Sequence, residues 1–411
     1  MSDIGILDYK GNNKNPLTQN EFSHTYKLLA ETWSKLPAYK EREKIIDIIK
    51  KSQVILIESS TGSGKTVLIP KYALHALNYT GKVAVTLPKR EITISSANFS
   101  ALTLDVKIGE EVGYQVKGNS NQSSKTKLLY ATDGTIVARL LSDPELKDFD
   151  VVVIDEAHER KVQIDLLLFL LRETLKIRKN FKLIIMSATI NVDLFKKYYN
   201  GFTFEHITLA GETHFPIDSI FLDKVLSYNN RINTGFEKLI EVLTQIDKEG
   251  DVEKFQDIMF FITSQNDAFN MCKRLHEIIT KEQKDKVCKI TCKNKILCLE
   301  LFSGVDERKK KLALSKDYRD EGYNIKIIFT TNVAESSLTV DTIKYVIDNG
   351  HELSDSYDPK IRAFKLDKKL ITHAQANKEW VELEEQVQVY VIIYIPRKNL
   401  ISSWNVFLYQ P

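Results

Sequence analysis

The feature that most constrains this 411-residue chain is the stretch from Ile57 to Thr66, which reads Ile-Glu-Ser-Ser-Thr-Gly-Ser-Gly-Lys-Thr. An apolar run at residues 54–57 predicts a buried strand before it, and residues 66–69 predict the start of a helix after it. A glycine-containing loop between a strand and a helix lets backbone N–H groups bind phosphate at the positive end of the helix. The stretch therefore predicts a phosphate-binding loop.

The residues of this loop have separate expected roles. Lys65 is expected to reach the β- and γ-phosphates of a nucleotide, and the hydroxyl of Thr66 to coordinate Mg²⁺. The full pattern has glycine where this chain has Ser59, a position that a small residue can fill. The alternative interpretation is a Gly/Ser turn before a lysine at a helix start. The expected nucleotide-binding residues of the loop are Thr61, Gly62, Ser63, Gly64, Lys65 and Thr66.

Composition excludes some classes of protein. Charged residues make up 27% of the chain and the formal net charge is only +3, so a nucleic-acid partner would have to be held by a local groove. No stretch approaches 18 uninterrupted apolar residues, and residues 1–20 lack a signal-peptide core. These features predict a soluble intracellular protein with no membrane partner, without distinguishing cytoplasm from nucleus or a viral origin.

The four cysteines cluster in one part of the chain, at Cys272, Cys288, Cys292 and Cys298, with His276 nearby. A zinc site is one interpretation of this cluster, but it contains no C-x2-C pair. Reduced thiols are therefore the favoured prediction.

Apolar runs alternate with helical patterns along the chain, which favours α/β domains with mainly parallel sheets. We predict an N-terminal extension at residues 1–36, a first domain at 37–211, a second at 212–376 and a tail at 377–411. Helices are expected at 229–250 and 267–281. The predicted strands are residues 54–57, 83–87, 127–131, 151–154, 183–186, 217–222, 258–263, 325–330 and 344–347.

The strand predicted at 151–154 runs directly into Asp155, Glu156, Ala157 and His158. Asp155 suits a Mg²⁺ shell, and Glu156 is placed to orient and deprotonate an attacking water. Acidic residues after a strand are also common in ordinary loops. Their occurrence about 90 residues after a phosphate-binding loop, in the same predicted domain, favours the catalytic interpretation.

A third motif, Ser187-Ala188-Thr189, follows the next apolar run. Its hydroxyls are candidates to bond to His158 and to couple the state of the nucleotide site to the rest of the molecule. The alternative is a plain polar strand end.

Taken in order, these motifs resemble those of the DEAH-box helicases of superfamily 2, a group that includes spliceosomal and viral RNA helicases. The resemblance covers roughly residues 36–376. The matching segments are residues 61–66 (motif I), 86–90 (motif Ia), 132–134 (the next nucleic-acid contact), 155–160 (the signature), 187–189 (motif III), 260–265 (motif IV), 330–340 (motif V) and 345–350.

The resemblance implies two tandem RecA-like P-loop NTPase domains that face each other, with ATP and Mg²⁺ between them. It implies Lys65, Asp155, Glu156 and His158 as catalytic residues. Asp341 is implied for the ATP ribose, and Phe99 stands where the family stacks an arginine on adenine. The implied nucleic-acid contacts are Pro88, Lys89, Arg90, Thr132, Asp133, Gly134, Ser264, Thr331 and Asn332.

The implied function is an ATP-dependent RNA helicase that moves along single-stranded RNA, opens duplexes and works with or without protein activators. Residues 352–370 resemble the β-hairpin that wedges a duplex open. Two alternatives remain. One is a DNA-directed translocase of the same superfamily, and the other is a catalytically impaired nucleotide- or RNA-binding module.

The chain departs from the family where motif VI is expected. The family has Gln-Arg-x-Gly-Arg-x-Gly-Arg there, whereas residues 377–386 contain neither glycine nor arginine. Read from the third base of the Asn377 codon, the possible codons permit Gln-Arg-Val-Gly-Arg-Ala-Gly-Arg. We therefore expect residues 377–411 to be a frameshifted tail, with a diverged but genuine terminus as the alternative. The apolar residues 389–395 would then form an exposed, aggregation-prone strand.

Overall fold

A computed structural model of the chain describes two compact units, which are called unit 1 (residues 5–209) and unit 2 (residues 218–393). None of the described helices is long and apolar enough to cross a membrane. The described residues are 5–59, 63–187, 191–209, 218–221, 227–250, 255–285, 289–302, 304–331, 340, 342–358, 360–371 and 390–393.

Unit 1 is built on one eight-stranded sheet in which only the β3–β4 pair is antiparallel. The spatial order is β4-β3-β5-β2-β6-β7-β1-β8. The strands are β1 (Val54–Ser59), β2 (Val83–Leu87), β3 (Val112–Val116), β4 (Asn119–Asn121), β5 (Leu128–Thr132), β6 (Val151–Ile154), β7 (Lys182–Ser187) and β8 (Phe204–Leu209). The helices are α1 (His24–Trp33), α2 (Pro37–Lys40), α3 (Arg42–Lys51), α4 (Lys65–Ala76), α5 (Arg90–Leu104), α6 (Asp133–Ser142), α7 (Val162–Ile177) and α8 (Val192–Tyr198).

Both faces of this sheet are buried, because successive strand residues point to opposite faces and both sets are apolar. Ile55 and Ile57 pack into one core with residues of α3 and α4. Leu56 and Val152 pack into a second core with residues of α6 and α7. This two-sided burial explains why the strands appear in the sequence as unbroken apolar runs.

Residues 5–36 contribute several side chains to the core of unit 1, although the sequence predicts an extension at 1–36. Leu7, Tyr26 and Trp33 are buried in the same cluster as β1 and α4. Ser23 caps α1 by accepting from the backbone N–H of Tyr26 at 3.1 Å, and its hydroxyl donates to Asp105 at 2.6 Å. The segment is therefore tied to α5 as well as to the core.

Unit 2 has a fully parallel six-stranded sheet in the order β11-β12-β10-β13-β16-β9, together with the antiparallel hairpin β14–β15. The α/β class with mainly parallel sheets is thus confirmed. The strands are β9 (Asp218–Phe221), β10 (Asp257–Phe261), β11 (Ile296–Leu301), β12 (Ile325–Thr330), β13 (Ile343–Asp348), β14 (His351–Asp358), β15 (Ala363–Leu370) and β16 (Tyr390–Ile393). The helices are α9 (Tyr228–Glu249), α10 (Gln265–Asp285) and α11 (Glu307–Leu314).

The prediction of an exposed strand at 389–395 is wrong. Tyr390–Ile393 forms β16, which pairs in parallel with β13 on one side and β9 on the other. Both rows of its backbone hydrogen-bonding groups face neighbouring strands, so it is an interior strand and not a free edge. The frameshift hypothesis for residues 377–411 stays a prediction.

The prediction of reduced thiols is wrong for the three described cysteines, because none of Cys272, Cys292 and Cys298 is free. Cys272 on α10 and Cys298 on β11 form a disulfide, with Cα atoms 5.8 Å apart. This separation is ordinary for a disulfide and follows from the packing of α10 against β11. Among the described residues, no group of three His, Cys, Asp or Glu side chains is placed to hold a metal ion. Cys288 lies outside the described residues.

Candidate nucleotide site and nucleic-acid interface

The register of the unit 1 sheet brings the predicted motifs to one edge. Leu87 pairs with Thr132, and Thr86 pairs with Ile154, so β2, β5 and β6 end side by side. The strands β7 and β1 continue the parallel order beyond β6. The segments that follow these strands therefore emerge at the carboxyl edge, where open α/β sheets bind ligands.

The loop after β1 passes into α4 at Gly64, whose φ of +85° lies in the left-handed region that favours glycine. Lys65 is the first residue of α4, and its side chain is buried. The hydroxyl of Ser63 is also buried, without a hydrogen-bond partner among the described residues. Thr61 and Gly62 lie outside the described residues. The described part of the loop thus has the strand-to-helix form that the sequence predicts.

Two motifs that are far apart in sequence meet at this edge. The hydroxyl of Thr66 donates to Oδ2 of Asp155 at 2.7 Å. The Nζ atom of Lys65 lies 3.7 Å from Oε1 of Glu156. Burial, reinforced by the charge of Glu156, raises the pKa of Asp155 to about 6, although Lys65 and Thr66 oppose this shift. The ionised form of Asp155 is therefore costly, and a nearby cation would stabilise it.

Glu156 has a strained backbone. Its φ of +58° is unusual for a residue with a long side chain and costs about 1–2 kcal/mol. Its backbone N–H donates to Oδ1 of Asp155 at 2.9 Å. Its Oε2 atom lies 3.2 Å from Nε2 of the buried His158. The turn therefore directs the Glu156 carboxylate between Lys65 and His158.

The segment after His158 is anchored by a pair of residues, Arg160 of the signature segment and Asp165, which the sequence analysis missed. Arg160 donates through Nε and Nη2 to both oxygens of Asp165, at 2.7 and 3.0 Å. This paired geometry fixes the guanidinium against the first turn of α7. The only sequence signal for Asp165 is an acidic residue near a helix start, which is common.

The candidate nucleic-acid contacts of unit 1 differ in exposure. Arg90 and Gly134 are exposed, whereas Asp133 is buried at the start of α6. Burial raises the pKa of Asp133 to about 7, against the opposing effects of Thr86 and Lys161. Pro88, Lys89 and Thr132 are half-buried at the ends of β2 and β5. These segments form one continuous surface because Leu87 and Thr132 are register partners.

For two other predicted site residues, the structure gives the position and the exposure of the side chain. Phe99 is exposed on α5, and its predicted contact with adenine stays a prediction. Ser187 is buried at the end of β7. The remaining predicted residues lie outside the described part of the chain, and these are Ala188, Thr189, Asn332 and Asp341.

In unit 2, Ser264 and Thr331 follow the paired strands β10 and β12. The Ser264 hydroxyl donates to Oδ2 of Asp267 at 2.8 Å, and the same oxygen accepts from the Tyr228 hydroxyl at 2.7 Å. Thr331 is nearly buried, and its backbone N–H donates to Leu301. Both hydroxyl residues therefore lie at the carboxyl edge of this sheet.

The hairpin predicted at 352–370 is present as β14 and β15, with His351 opposite Leu370 and Asp358 opposite Ala363. The Nζ atom of Lys368 lies 3.7 Å from the centre of the Tyr228 ring. Tyr228 also bonds to Asp267. The base of the hairpin is thus linked to the segment that carries Ser264.

A parallel sheet with a phosphate-binding loop after one strand and an acidic pair after a nearby strand defines a P-loop NTPase domain. Comparison with known proteins narrows this class. Residues 39–196 match the family described as DEAD/DEAH box helicase. This part of the chain is therefore a DEAD/DEAH box helicase domain.

Two relatives extend the match beyond that domain. A protein of Acanthamoeba polyphaga mimivirus, whose name describes an ATP-dependent RNA helicase, is 43% identical over 380 residues, which cover 91% of this chain and 51% of the relative. The ATP-dependent RNA helicase HrpA of Borreliella burgdorferi is 32% identical over 346 residues, covering 83% of this chain and 39% of HrpA. The chain thus spans about half the length of these relatives, or less.

The fold has solved counterparts. The crystal structure of the DExH-box NTPase HrpB of Escherichia coli matches with a TM-score of 0.69 and 22% identity, covering 89% of this chain and 42% of HrpB. At this identity the likeness bears on the fold alone.

Proposed function

We propose that this chain is the core of an ATP-dependent RNA helicase of the DEAH-box type, which couples ATP hydrolysis to movement along single-stranded RNA and to duplex opening. The observation that carries this proposal is the 2.7 Å hydrogen bond between Thr66 and Asp155, which joins two motifs 89 residues apart. The names of the relatives support RNA as the nucleic acid.

The residues at this edge fit Mg²⁺. Thr66 and Asp155 offer a hydroxyl and a carboxylate oxygen, the hard ligands that Mg²⁺ prefers. Because burial raises the pKa of Asp155, a cation bound beside this carboxylate would offset the cost of its charge. Bound there, the ion would neutralise charge on the β- and γ-phosphate oxygens.

The chain's own residues supply the remaining chemistry. Lys65 exchanges its 3.7 Å contact with Glu156 for the phosphates of ATP. The freed Glu156 carboxylate accepts a proton from the water as the water oxygen attacks the γ-phosphorus. The bond from the γ-phosphorus to the oxygen it shares with the β-phosphate breaks, and ADP leaves with that oxygen. His158, 3.2 Å from Glu156, holds this carboxylate in place.

The carboxyl edge of each sheet offers side chains suited to nucleic acid. In unit 1, the exposed Arg90 and the half-buried Lys89 are cations suited to phosphate oxygens. Contacts of this kind position a strand without reading its sequence, and they weaken as salt is raised. In unit 2, Ser264 and Thr331 supply hydroxyls, and the β14–β15 hairpin serves as the wedge.

A second candidate function is nucleotide and RNA binding with little hydrolysis. It is favoured by one observation, which is that residues 377–386 carry no arginine. Arginines at this point of the family pattern stabilise charge on the γ-phosphate, and such arginines contribute about 10³–10⁵ in rate.

The first test of the proposal is the affinity for a non-hydrolysable MgATP analogue. Lys65→Ala is expected to abolish measurable binding, because the phosphates lose their principal cation. Lys50→Ala, on the exposed side of α3, serves as the control and should bind normally. Equal binding by wild type and Lys65→Ala would contradict the assignment of the loop.

The second test compares RNA and DNA duplexes that carry a single-stranded overhang. Opening of RNA duplexes alone supports the proposed function. Opening of DNA duplexes in preference would instead favour a DNA-directed translocase. RNA-stimulated binding of nucleotide without duplex opening or ATP turnover would favour the second candidate.

A further inference from the structure

The short helix α2 lies directly against the phosphate-binding loop. The backbone N–H of Ala38 donates to the carbonyl oxygen of Ser63 at 3.0 Å. The carbonyl oxygen of Ala38 accepts from the hydroxyl of Tyr72 at 3.0 Å. Because Tyr72 lies on α4, which begins at Lys65, one residue of α2 joins the loop to the helix that follows it.

Leu36, the residue before α2, closes over the loop at Gly64. A Cβ atom built on Gly64 would lie 2.7 Å from Cδ1 of Leu36 and 3.1 Å from its Cβ. The backbone of Gly64 therefore lies in direct contact with Leu36, and its φ of +85° adds a second requirement for glycine. Leu36 restricts how far this peptide can move away from the helix start.

The segment is in turn fixed to the core of unit 1. The hydroxyl of Tyr39 donates to the carbonyl oxygen of Leu7 at 2.9 Å. The Tyr39 ring packs edge-on against Trp33, with ring centres 5.2 Å apart. The guanidinium of Arg42 lies 4.4 Å from the Tyr39 ring centre. Since Leu7 and Trp33 are core residues, the segment cannot move without disturbing that core.

We propose that residues 36–40, which we call the brace, are a positioning element for nucleotide binding. The brace holds Ser63 and Gly64 in the bound conformation before nucleotide arrives, so the ordering cost is not paid at binding. This inference rests on the proposed nucleotide binding by the loop. It assigns part of the affinity to residues upstream of the phosphate-binding motif, which themselves need not touch the nucleotide.

The sharpest variant is Tyr72→Phe. It removes one hydroxyl, keeps the ring that fills the core, and leaves the carbonyl of Ala38 without its hydrogen bond from α4. The affinity for MgATP analogue is expected to fall about fivefold to tenfold, the range for one hydrogen bond. Leu36→Ala is a second variant, which frees the loop at Gly64 without creating an unpaired polar group. It should weaken binding in the same direction.

Tyr199→Phe is the matched control. Tyr199 is also fully buried, and its hydroxyl donates to the carbonyl oxygen of Leu168 at 3.2 Å. The change deletes the same group from the second core of unit 1, which lies on the opposite face of the sheet from the brace. It should lower the melting temperature by a similar amount and leave nucleotide affinity unchanged.

The experiment is calorimetric titration of the four folded proteins with the MgATP analogue, below the onset of unfolding of each. Wild-type binding with weakened Tyr72→Phe and unchanged Tyr199→Phe supports the brace. If wild type binds and Tyr72→Phe and Leu36→Ala bind equally well, the inference is overturned while the proposed function stands. Equal weakening by Tyr199→Phe also overturns it, because general stability would then explain the loss. Absence of wild-type binding overturns both.

Hydrogen–deuterium exchange gives a readout that lost stability alone does not produce. The analogue is expected to slow exchange in the wild-type peptide that contains Ala38, because a filled loop strengthens its bond to Ser63. This added protection should be reduced in Tyr72→Phe and retained in Tyr199→Phe. Absence of protection in the wild-type peptide at saturating analogue would contradict the proposal.

Discussion

The carboxyl edges of the two parallel sheets carry different chemistry on the same type of scaffold. In unit 1 the edge is charged, with Lys65, Asp155 and Glu156 in one network. In unit 2 the matching edge offers the hydroxyls of Ser264 and Thr331. The first set suits hydrolysis of a phosphoanhydride, and the second suits binding of a sugar-phosphate chain. The same sheet architecture therefore leaves function to the residues at its strand ends.

Asp155 in unit 1 and Asp257 in unit 2 are buried carboxylates at different positions in their sheets. Asp155 lies at the carboxyl edge, where burial raises its pKa. Asp257 lies at the amino end of β10, where it accepts from the Tyr318 hydroxyl at 2.9 Å and lies 3.9 Å from Nζ of the buried Lys326. The charge of Asp257 therefore has partners within the fold, whereas we expect a bound cation to add to the compensation of Asp155. We therefore expect ligands to stabilise unit 1 more than unit 2.

The largest expected effect concerns the arginines that residues 377–386 lack. The protein as it stands should bind ATP but hydrolyse it slowly, even with RNA. Expression of the shifted reading frame from Asn377, with everything that frame encodes, is expected to raise RNA-stimulated turnover by about 10³-fold or more. The control is the same protein with the restored arginines changed to alanine. Rapid turnover by the present chain would show that unit 1 needs no such arginines.

The second effect tests whether the charged edge of unit 1 performs hydrolysis. In a hydrolysing form, Glu156→Gln is expected to lower turnover by about 10²–10⁴-fold while keeping nucleotide affinity, because an amide cannot accept the water proton. Glu159→Gln is the control, because it makes the same chemical change at a nearby carboxylate whose partner is Lys161, at 2.5 Å. It should leave turnover unchanged. Turnover at the unmodified rate in Glu156→Gln would require another base.

The third effect tests the hydroxyl edge of unit 2. Tyr228→Phe removes the 2.7 Å bond to Asp267, which also holds Ser264. RNA affinity in a filter-binding assay is expected to fall about twofold to fivefold, which corresponds to part of the net free energy of one hydrogen bond. Tyr318→Phe removes a buried hydroxyl near the other end of the sheet. It should lower stability without changing RNA affinity, and an equal loss of affinity in both variants would contradict the assignment.

The smallest effect is the pH dependence of stability in unit 1. The pKa of Asp133 is raised by burial to about 7, so the folded state binds this proton more tightly than the unfolded state. The free energy of unfolding should therefore fall as pH rises from about 4 to about 7. In thermal melts, Asp133→Asn is expected to reduce the dependence of stability on pH. Part of that dependence should remain, because the pKa of Asp155 is also raised.

The exposed change Asp193→Asn provides the comparison for that measurement. This variant should show the same pH dependence of stability as wild type. If Asp133→Asn melts with the same pH dependence as wild type, the Asp133 carboxyl is not protonated preferentially in the folded state.

Elements with local signals were predictable. The strands at 83–87, 151–154 and 325–330 have the predicted bounds, because interior parallel strands are apolar throughout. The helices predicted at 229–250 and 267–281 lie within α9 and α10 to a few residues. In contrast, β3, β4, β8 and β11 were not predicted. All four occupy or adjoin the sheet edges, where burial is partial and the apolar pattern is weak.

The sequence by itself determined the α/β class, the order of the motifs and the residue types available at the strand ends, because these depend on local pattern and spacing. Only the tertiary structure decided that Tyr390–Ile393 lies inside a sheet, that Cys272 meets Cys298 and that Asp133 is buried. It alone decided that Ala38 contacts Ser63. These contacts and this burial involve segments that are far apart in sequence. No local sequence pattern predicts which of them meet, because the packing of the whole chain determines it.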